Sequence, residues 1–274
     1  MNYKTNYKTL ILIPVILFVI TAGYLALQLQ AGLNLDIDLK GGTQLTAESA
    51  QTVNAGNIEN VLREYGAKVR IARGFTGWSV LINVPADADT TAIMEKLSDY
   101  SFENWSVQSV GPALGASFFK QAQIALLLAF VFMGAVVFVV FRVPLPSFYV
   151  VLCAVFDIIG TLAISQALGI NLSLATFAAL LLLIGYSVDT DILLTTRLLK
   201  GTGELKEKIR GAVRTGLTMS CTTLAAMAAL YFISASAIIT QIASILLIGL
   251  SLDVLNTWLL NAGLLRWYIE RRAI

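Results

Sequence analysis

Six long apolar runs leave this chain few ways to fold. They cover 10–30, 121–141, 148–168, 172–199, 213–233 and 238–265 of its 274 residues. A bilayer core about 30 Å thick needs about 20 such residues wound as a helix. Lipid offers the backbone no hydrogen-bond partner, so the ladder must close within each segment. Composition agrees: 57% of the residues are hydrophobic and 13% charged, against about 25% charged in a soluble domain. The expectation is an α-helical polytopic membrane protein with six transmembrane helices. The first run exceeds the apolar core of a signal peptide and no clean cleavage site follows, so it reads as a retained helix with Pro14 in its first turns.

The one long polar stretch lies between the first two runs. Residues 35–48 read as a strand around Gly41-Gly42. An amphipathic helix over 57–65 follows, with Ile58, Val61, Leu62 and Tyr65 on one face. Two strands, 68–72 and 78–84, flank a turn at 74–77. A second helix at 90–100 turns Ile93, Met94 and Leu97 inward, and a last strand covers 105–110. The order β-α-β-β-α-β is that of a small ferredoxin-like α+β domain. The expected divisions are 1–30 (N-terminus and first helix), 31–120 (the α+β domain), 121–265 (the remaining five helices) and 266–274 (a tail).

Charge sets the expected orientation. The nineteen Lys and Arg include Lys4 and Lys8 before the first run and Arg142 after the second. Arg197, Lys200, Lys206, Lys208, Arg210 and Arg214 lie between the fourth and fifth, and Arg266, Arg271 and Arg272 follow the sixth. The remaining seven are in the 31–120 loop, outnumbered by ten acids, and the short loops near Asn171 and Ser234 have none. The positive-inside rule therefore predicts both termini in the cytoplasm and 31–120 outside the cell membrane. Trp267 and Tyr268 are placed as interfacial anchors. The chain has no histidine, which removes histidine proton relays and histidine-liganded metal sites. Cys153 and Cys221 fall in apolar runs and read as small packing residues.

Four carboxylates sit inside those runs: Asp157, Asp189, Asp191 and Asp253. Each costs about 2.5–3.5 kcal/mol at the centre of a membrane helix on insertion scales, so each marks a use. Asp157, Thr161 and Ser165 form one polar stripe, and Thr215, Thr218 and Thr222 another. Asp253 lies beside Asn256 and Thr257. Asp189 and Asp191 are two residues apart and point in different directions, so at most one faces the same seam as the others. Asp191 shares a face with Ser187 and Thr195. No basic residue lies at mid-depth. Carboxyls among hydroxyls, with no counter-charge, suit the passage of an ion, and Asp189 is the leading candidate for it. The alternative use is helix-to-helix hydrogen bonding. The small residues Ala225, Ala226, Ala228 and Ala229 suggest close helix packing.

Three stretches carry a resemblance. They are Asp36-Ile37-Asp38-Leu39-Lys40-Gly41-Gly42 after the first run, Val110-Gly111-Pro112-Ala113-Leu114-Gly115 before the second, and Gly185-Tyr186-Ser187-Val188-Asp189-Thr190-Asp191 in the fourth. In order and spacing the chain resembles the SecF family, the smaller of the paired SecD and SecF membrane subunits of the protein-export machinery. Asp38, Gly41, Gly42, Gly111, Pro112, Gly115, Gly185 and Tyr186 fall on the family's motifs. Bacterial members read Asn-Asp where this chain has Asp189-Thr190. Its Val188-Asp189 is more like SecD, and the sequence looks like an archaeal version. The resemblance implies an accessory translocase subunit and no enzyme. It would pair with SecD beside the Sec translocation channel, act on exported preproteins and use proton movement. It is also related to resistance–nodulation–division exporters, which makes a half-size small-molecule or lipid exporter the alternative. An intramembrane aspartyl protease built on Asp189 and Asp253 is a remote third, lacking the expected Gly-x-Gly-Asp. No P-loop or Cys/His cluster suggests a cofactor, and nothing suggests a nucleic-acid partner.

Overall fold

The computed structural model describes residues 7–73, 77–234 and 236–272. Six helical spans long and apolar enough to cross a membrane are present among them, with a four-stranded sheet between the first two. The chain is thus a multi-pass membrane protein carrying one small α+β unit.

Helix α1 (Tyr7–Ala31) opens the described chain, and Pro14 falls inside it rather than in its first turns. Residues 35–48 do not form one strand. Asp36 accepts a hydrogen bond from the Ile37 N–H at 2.9 Å and caps the short helix α2 (Ile37–Lys40). Gly41 ends it at φ +83°, a conformation that side chains with a Cβ rarely adopt. Strand β1 (Gly42–Ser49) therefore starts only at Gly42.

Next come α3 (Ala55–Val61), β2 (Lys68–Arg73), β3 (Trp78–Val84), α4 (Thr90–Lys96) and β4 (Glu103–Val110). Both helices are shorter than expected, and each ends in a 3₁₀ turn, at Arg63–Tyr65 and Ser98–Tyr100. The turn expected at 74–77 lies almost wholly outside the described residues. Every strand pair is antiparallel and the order is β2-β3-β1-β4, with Leu45 opposite Ile82 on one side and Val107 on the other. This is the ferredoxin-like topology. Leu45, Ile58, Leu62, Val80, Ile82, Ile93 and Leu97 meet in its core. Val61, expected on the inner face, is 40% exposed. Ile58 and Leu62, one α-helical turn apart with the Leu62 N–H bonded to the Ile58 carbonyl at 2.9 Å, fill the core without Val61.

The membrane bundle follows: α5 (Pro112–Phe141), α6 (Pro144–Ala167), α7 (Leu174–Lys200), α8 (Leu205–Ile233) and α9 (Ala237–Leu255). After α9 the helix widens into a π turn (Asn256–Asn261), then continues as α10 (Ala262–Arg272). Helix α5 starts at Pro112, well ahead of the expected 121. Proline is favourable there because the first helical N–H has no partner to lose. Helices α6 and α7 are the most enclosed of the bundle, and α1 and α8 the least. Met133, Val150, Ala154, Leu180, Leu183, Ile245 and Leu250 pack between α5, α6, α7 and α9. Small residues let the backbones approach, as membrane packing requires. A Cβ on Gly160 would meet Leu252 at 2.8 Å, and one on Gly249 would drive into Leu183. The alanine patch on α8 does not serve this purpose within the chain: Ala225, Ala226 and Ala229 are exposed. Thr218, Thr222 and Cys221 are exposed on the same helix, whereas Cys153 is fully buried.

Candidate functional site

Three helices each turn a polar stripe toward one seam. On α6 it is Asp157, Thr161 and Ser165; on α7, Ser187, Asp191 and Thr195; on the last helix, Asp253, Thr257 and Asn261. Each stripe repeats at i, i+4 and i+8, one helical face. All nine residues are at most 1% exposed. An interior that excludes water makes every unsatisfied polar group costly, so the bonding inside the seam can be followed group by group.

Asp157 accepts from Ser187 Oγ on Oδ2 at 2.7 Å and from Asn256 Nδ2 on Oδ1 at 2.6 Å. Asp191 accepts on Oδ1 from Asn261 Nδ2 at 2.7 Å and from Thr257 Oγ1 at 3.0 Å. Thr257 Oγ1 is also 3.2 Å from Asp253 Oδ1, and Thr190 Oγ1 is 3.2 Å from Asp253 Oδ2. A hydroxyl carries one proton. Thr257 can donate to Asp191 or to Asp253, and the other contact becomes a hydrogen bond only when the carboxyl brings the proton. Thr190 is in the same position, since its hydroxyl also reaches the Ser187 carbonyl at 2.9 Å. Among the described residues no ion pair reaches Asp157, Asp191 or Asp253. Three carboxyls and shared hydroxyls, with no fixed cation, form a network in which protons or a small cation can exchange places.

The π turn supplies three of these ligands. Asn256, Thr257 and Asn261 are all within it, and its closing bond runs from the Ala262 N–H to the Thr257 carbonyl. A π turn changes which faces the residues after it present, and such turns concentrate at functional sites.

Asp189 stands apart from the seam. It is exposed, on the face of α7 that also carries Leu182 (50% exposed), Gly185 and Tyr186 (39% exposed). The fourth-helix motif thus splits: Asp191 enters the seam and Asp189 faces out of the chain. Asp189 and Asp253 accordingly do not meet as a pair.

The other two motifs meet at the root of the α+β unit. A Cβ on Gly41 would lie 2.6 Å from Pro112 Cα, and one on Gly115 would lie 2.7 Å from the Gly41 nitrogen. Gly41 and Gly115 are therefore two sides of one contact, with α2 resting on the first turn of α5. Gly42, at φ +140°, sits against the Ile37 side chain and the Val84 carbonyl. Asp36, 5% exposed, ties three parts together. Its carboxylate pairs with Arg70 Nη2 at 2.6 Å and accepts from Asn83 Nδ2 at 2.8 Å, while its own N–H donates to the Leu172 carbonyl at 2.7 Å. Leu35 and Leu172 form a parallel bridge just before α7. Asp38 accepts from the Leu174 N–H at the start of α7. Burial, then the neighbouring Asp36 charge, raises the Asp38 carboxyl above the usual range, and the Leu174 bond offsets part of that.

Sequence reasoning did not single out Asp36, Arg70, Asn83, Thr190 or Asn261. Asn261 was within reach of it, since it extends the Asp253–Thr257 stripe by one turn. Arg70 and Asn83 gave no local signal, because their partner is more than thirty positions away.

The pattern describing the C-terminal part of the protein-export membrane proteins SecD and SecF matches residues 89–271. The protein-export membrane protein SecF of Methanothermobacter thermautotrophicus is 41% identical, over 98% of this chain and 94% of that one. The chain belongs to the SecF family of protein-export membrane proteins. Its SecF relative in Methanocaldococcus jannaschii is 38% identical over 98% of both chains. Among solved structures, SecDF from Thermus thermophilus, described as a translocon-associated membrane protein, superposes over 99% of this chain with a TM-score of 0.78 at 22% identity. A SecDF in a super-membrane-facing form gives 0.58 at 20% identity. This SecF chain spans 39% of the length of either SecDF structure, and at such identity the likeness speaks for the fold.

Proposed function

We propose that the chain is an accessory subunit of the Sec protein translocase. It pairs with SecD in the cell membrane, beside the translocation channel, and promotes outward movement of exported preproteins. Both termini lie in the cytoplasm and residues 31–120 lie outside. Proton movement past the intramembrane acids drives the cycle, with Asp189 at the partner-facing surface and Asp157, Asp191 and Asp253 behind it.

The observation that carries this reading is the exposure of Asp189 in the middle of a membrane helix. A carboxylate facing lipid there costs at least about 2.5–3.5 kcal/mol, so a protein surface belongs over it. The face around it, with Leu182, Gly185 and Tyr186, has the mix of small and aromatic residues that helix partners use. Membership of the SecF family and the likeness to SecDF support SecD as that partner. The fastening of the outer unit to α7 through Asp36 and Asp38 gives a route from Asp189 to the outside.

Export of a secreted reporter in cells carrying Asp189→Asn, with assembly verified by co-purification of SecD, tests the reading. Asn keeps shape and polarity but cannot ionise. The expected result is intact assembly with export reduced to the level of cells lacking the chain. Normal export would remove Asp189 from the cycle.

A further inference from the structure

The triplet Asn-x-Ser or Asn-x-Thr, with x other than proline, is the acceptor signal for an N-linked sugar on an outward-facing surface. It occurs twice in this chain, as Asn104-Trp105-Ser106 and Asn171-Leu172-Ser173. Both fall on the side assigned above to the outside, and the structure separates them.

The second triplet is closed off. Leu172 and Ser173 are each 3% exposed. The Leu172 N–H and carbonyl are both bonded to the backbone at Asn34 and Asp36. Ser173 Oγ accepts from the Thr176 N–H and caps α7, and the Asn171 carbonyl takes Gln241 Nε2 at 2.7 Å. A segment fastened at each of its residues cannot be drawn into a transferase.

The first triplet is presented. From Glu103 to Ser106, β4 has one residue more than the stretch of β1 opposite it, Thr46 to Glu48. The extra residue makes a bulge, and Asn104 takes it up at φ +53°. Asparagine is one of the few side chains that tolerate this conformation. That accounts for an asparagine at 104 but not for the serine two positions on. Glu103, Asn104 and Ser106 are all exposed. Strand β4 is also the end of the sheet, and among the described residues no strand pairs with its outer edge. Asn104 Nδ2 donates to Glu48 Oε2 at 2.8 Å. An amide nitrogen carries two protons. One serves Glu48, and the other can be replaced without breaking that bond.

We propose that Asn104 is N-glycosylated. The donor is a lipid-linked glycosyl phosphate. The bond from Asn104 Nδ2 to the anomeric carbon forms, and the bond from that carbon to the phosphate oxygen breaks. The electron pair leaves on the phosphate, and one Nδ2 proton is released. The proposal rests on the outward placement of residues 31–120. A bulky hydrophilic sugar at the bulge covers an open strand edge, which is otherwise a template for pairing with another extended chain. Beside exported preproteins, that cover keeps the sheet from capturing its own cargo.

The chain is purified with its native membrane partner from its own cells, and its intact mass and peptide masses are measured. The wild type should exceed the mass of its sequence by a whole number of sugar residues, all on the peptide that holds Asn104. Asn104→Gly, which suits a positive φ, should remove the increment. Ser106→Ala, which leaves Asn104 and the bulge in place, should remove it too. Ser106→Thr should keep it, and Asn171→Gln should leave it unchanged. Asp87→Cys, exposed on the same unit, reads the placement separately. A membrane-impermeant maleimide should label it on intact cells above the level of the wild-type chain. Labelling without a mass increment would overturn the glycosylation and leave the orientation standing. Labelling only after lysis would overturn both. An increment that survives Asn104→Gly or Ser106→Ala would put the sugar elsewhere and overturn the proposal as well.

Discussion

The Asp36 centre and the Asp157–Asp191–Asp253 seam solve the same problem in opposite ways. Both bury carboxylates and satisfy them with amide and hydroxyl donors. At Asp36 a guanidinium closes the account, and the group is fastened to the outer sheet, α2 and the start of α7 at once. Among the described residues no guanidinium or ammonium pairs with the seam's acids, and single hydroxyls are shared between carboxyls. A carboxylate held by a fixed cation works as a rivet. Carboxyls without one are held by hydrogen bonds alone, and the proton movement proposed above would use carboxyls of this second kind.

That contrast can be broken by substitution. Asp36→Ala should do the most damage, because it strands the Arg70 guanidinium, the Asn83 amide and the Ile37 N–H together. Removing one partner of a buried pair costs about 3–5 kcal/mol. Arg70 is about one-third exposed, so a loss of about 3 kcal/mol is expected. Urea unfolding of the outer unit, followed through Trp78 and Trp105 fluorescence, reads it. Asp253→Asn should change stability by less than about 1 kcal/mol. Asn can still accept from Thr257 and can donate to Thr190, whose own proton then goes to the Ser187 carbonyl. A loss as large as that of Asp36→Ala would make the seam another rivet and end the comparison.

The smallest effect is expected at Asp38, beside Asp36 at the start of α7. Its native carboxyl holds its proton to higher pH than the unfolded one, whose ordinary value is 3.8. As pH rises above 3.8 the unfolded chain loses this proton first. Stability therefore falls until the raised native value is passed, and is flat beyond it. Asp38→Asn should remove that slope while leaving the midpoint at acid pH close to wild type. A steeper slope in the variant would contradict the direction of the shift.

Much of this was legible in the sequence, for identifiable reasons. Apolar runs long enough for a bilayer can hardly be anything but helices, and alternating strands with Gly and Pro boundaries fixed the order of the outer unit. The periodicity that put Asp157, Thr161 and Ser165 on one face was correct, and the same rule placed Asp191 with Ser187 and Thr195. It did not say which face of α7 turns inward. The two acids of that helix differ by about 200° of rotation, and only the packing of α6 and α9 decides between them. Residues 35–40 looked like strand because Leu35, Ile37 and Leu39 alternate. The Asp36 cap turns that alternation into a helical turn whose apolar side chains, Ile37 and Leu39, are still buried. The meeting of Gly41 with Gly115 was invisible locally, since neither glycine has a side chain to signal a contact some seventy positions away.

The π turn gives the last helix a joint. Its hydrogen bonds run one residue wider than those of the rod above and below, so the segment beyond it is turned by about a quarter turn or slightly more relative to an unbroken α-helix. The residues that set this angle, Asn256, Thr257 and Asn261, are the same ones that bond Asp157, Asp191 and Asp253. The direction in which the chain's C-terminal end leaves the bundle and the bonding of its buried acids are written into the same six residues.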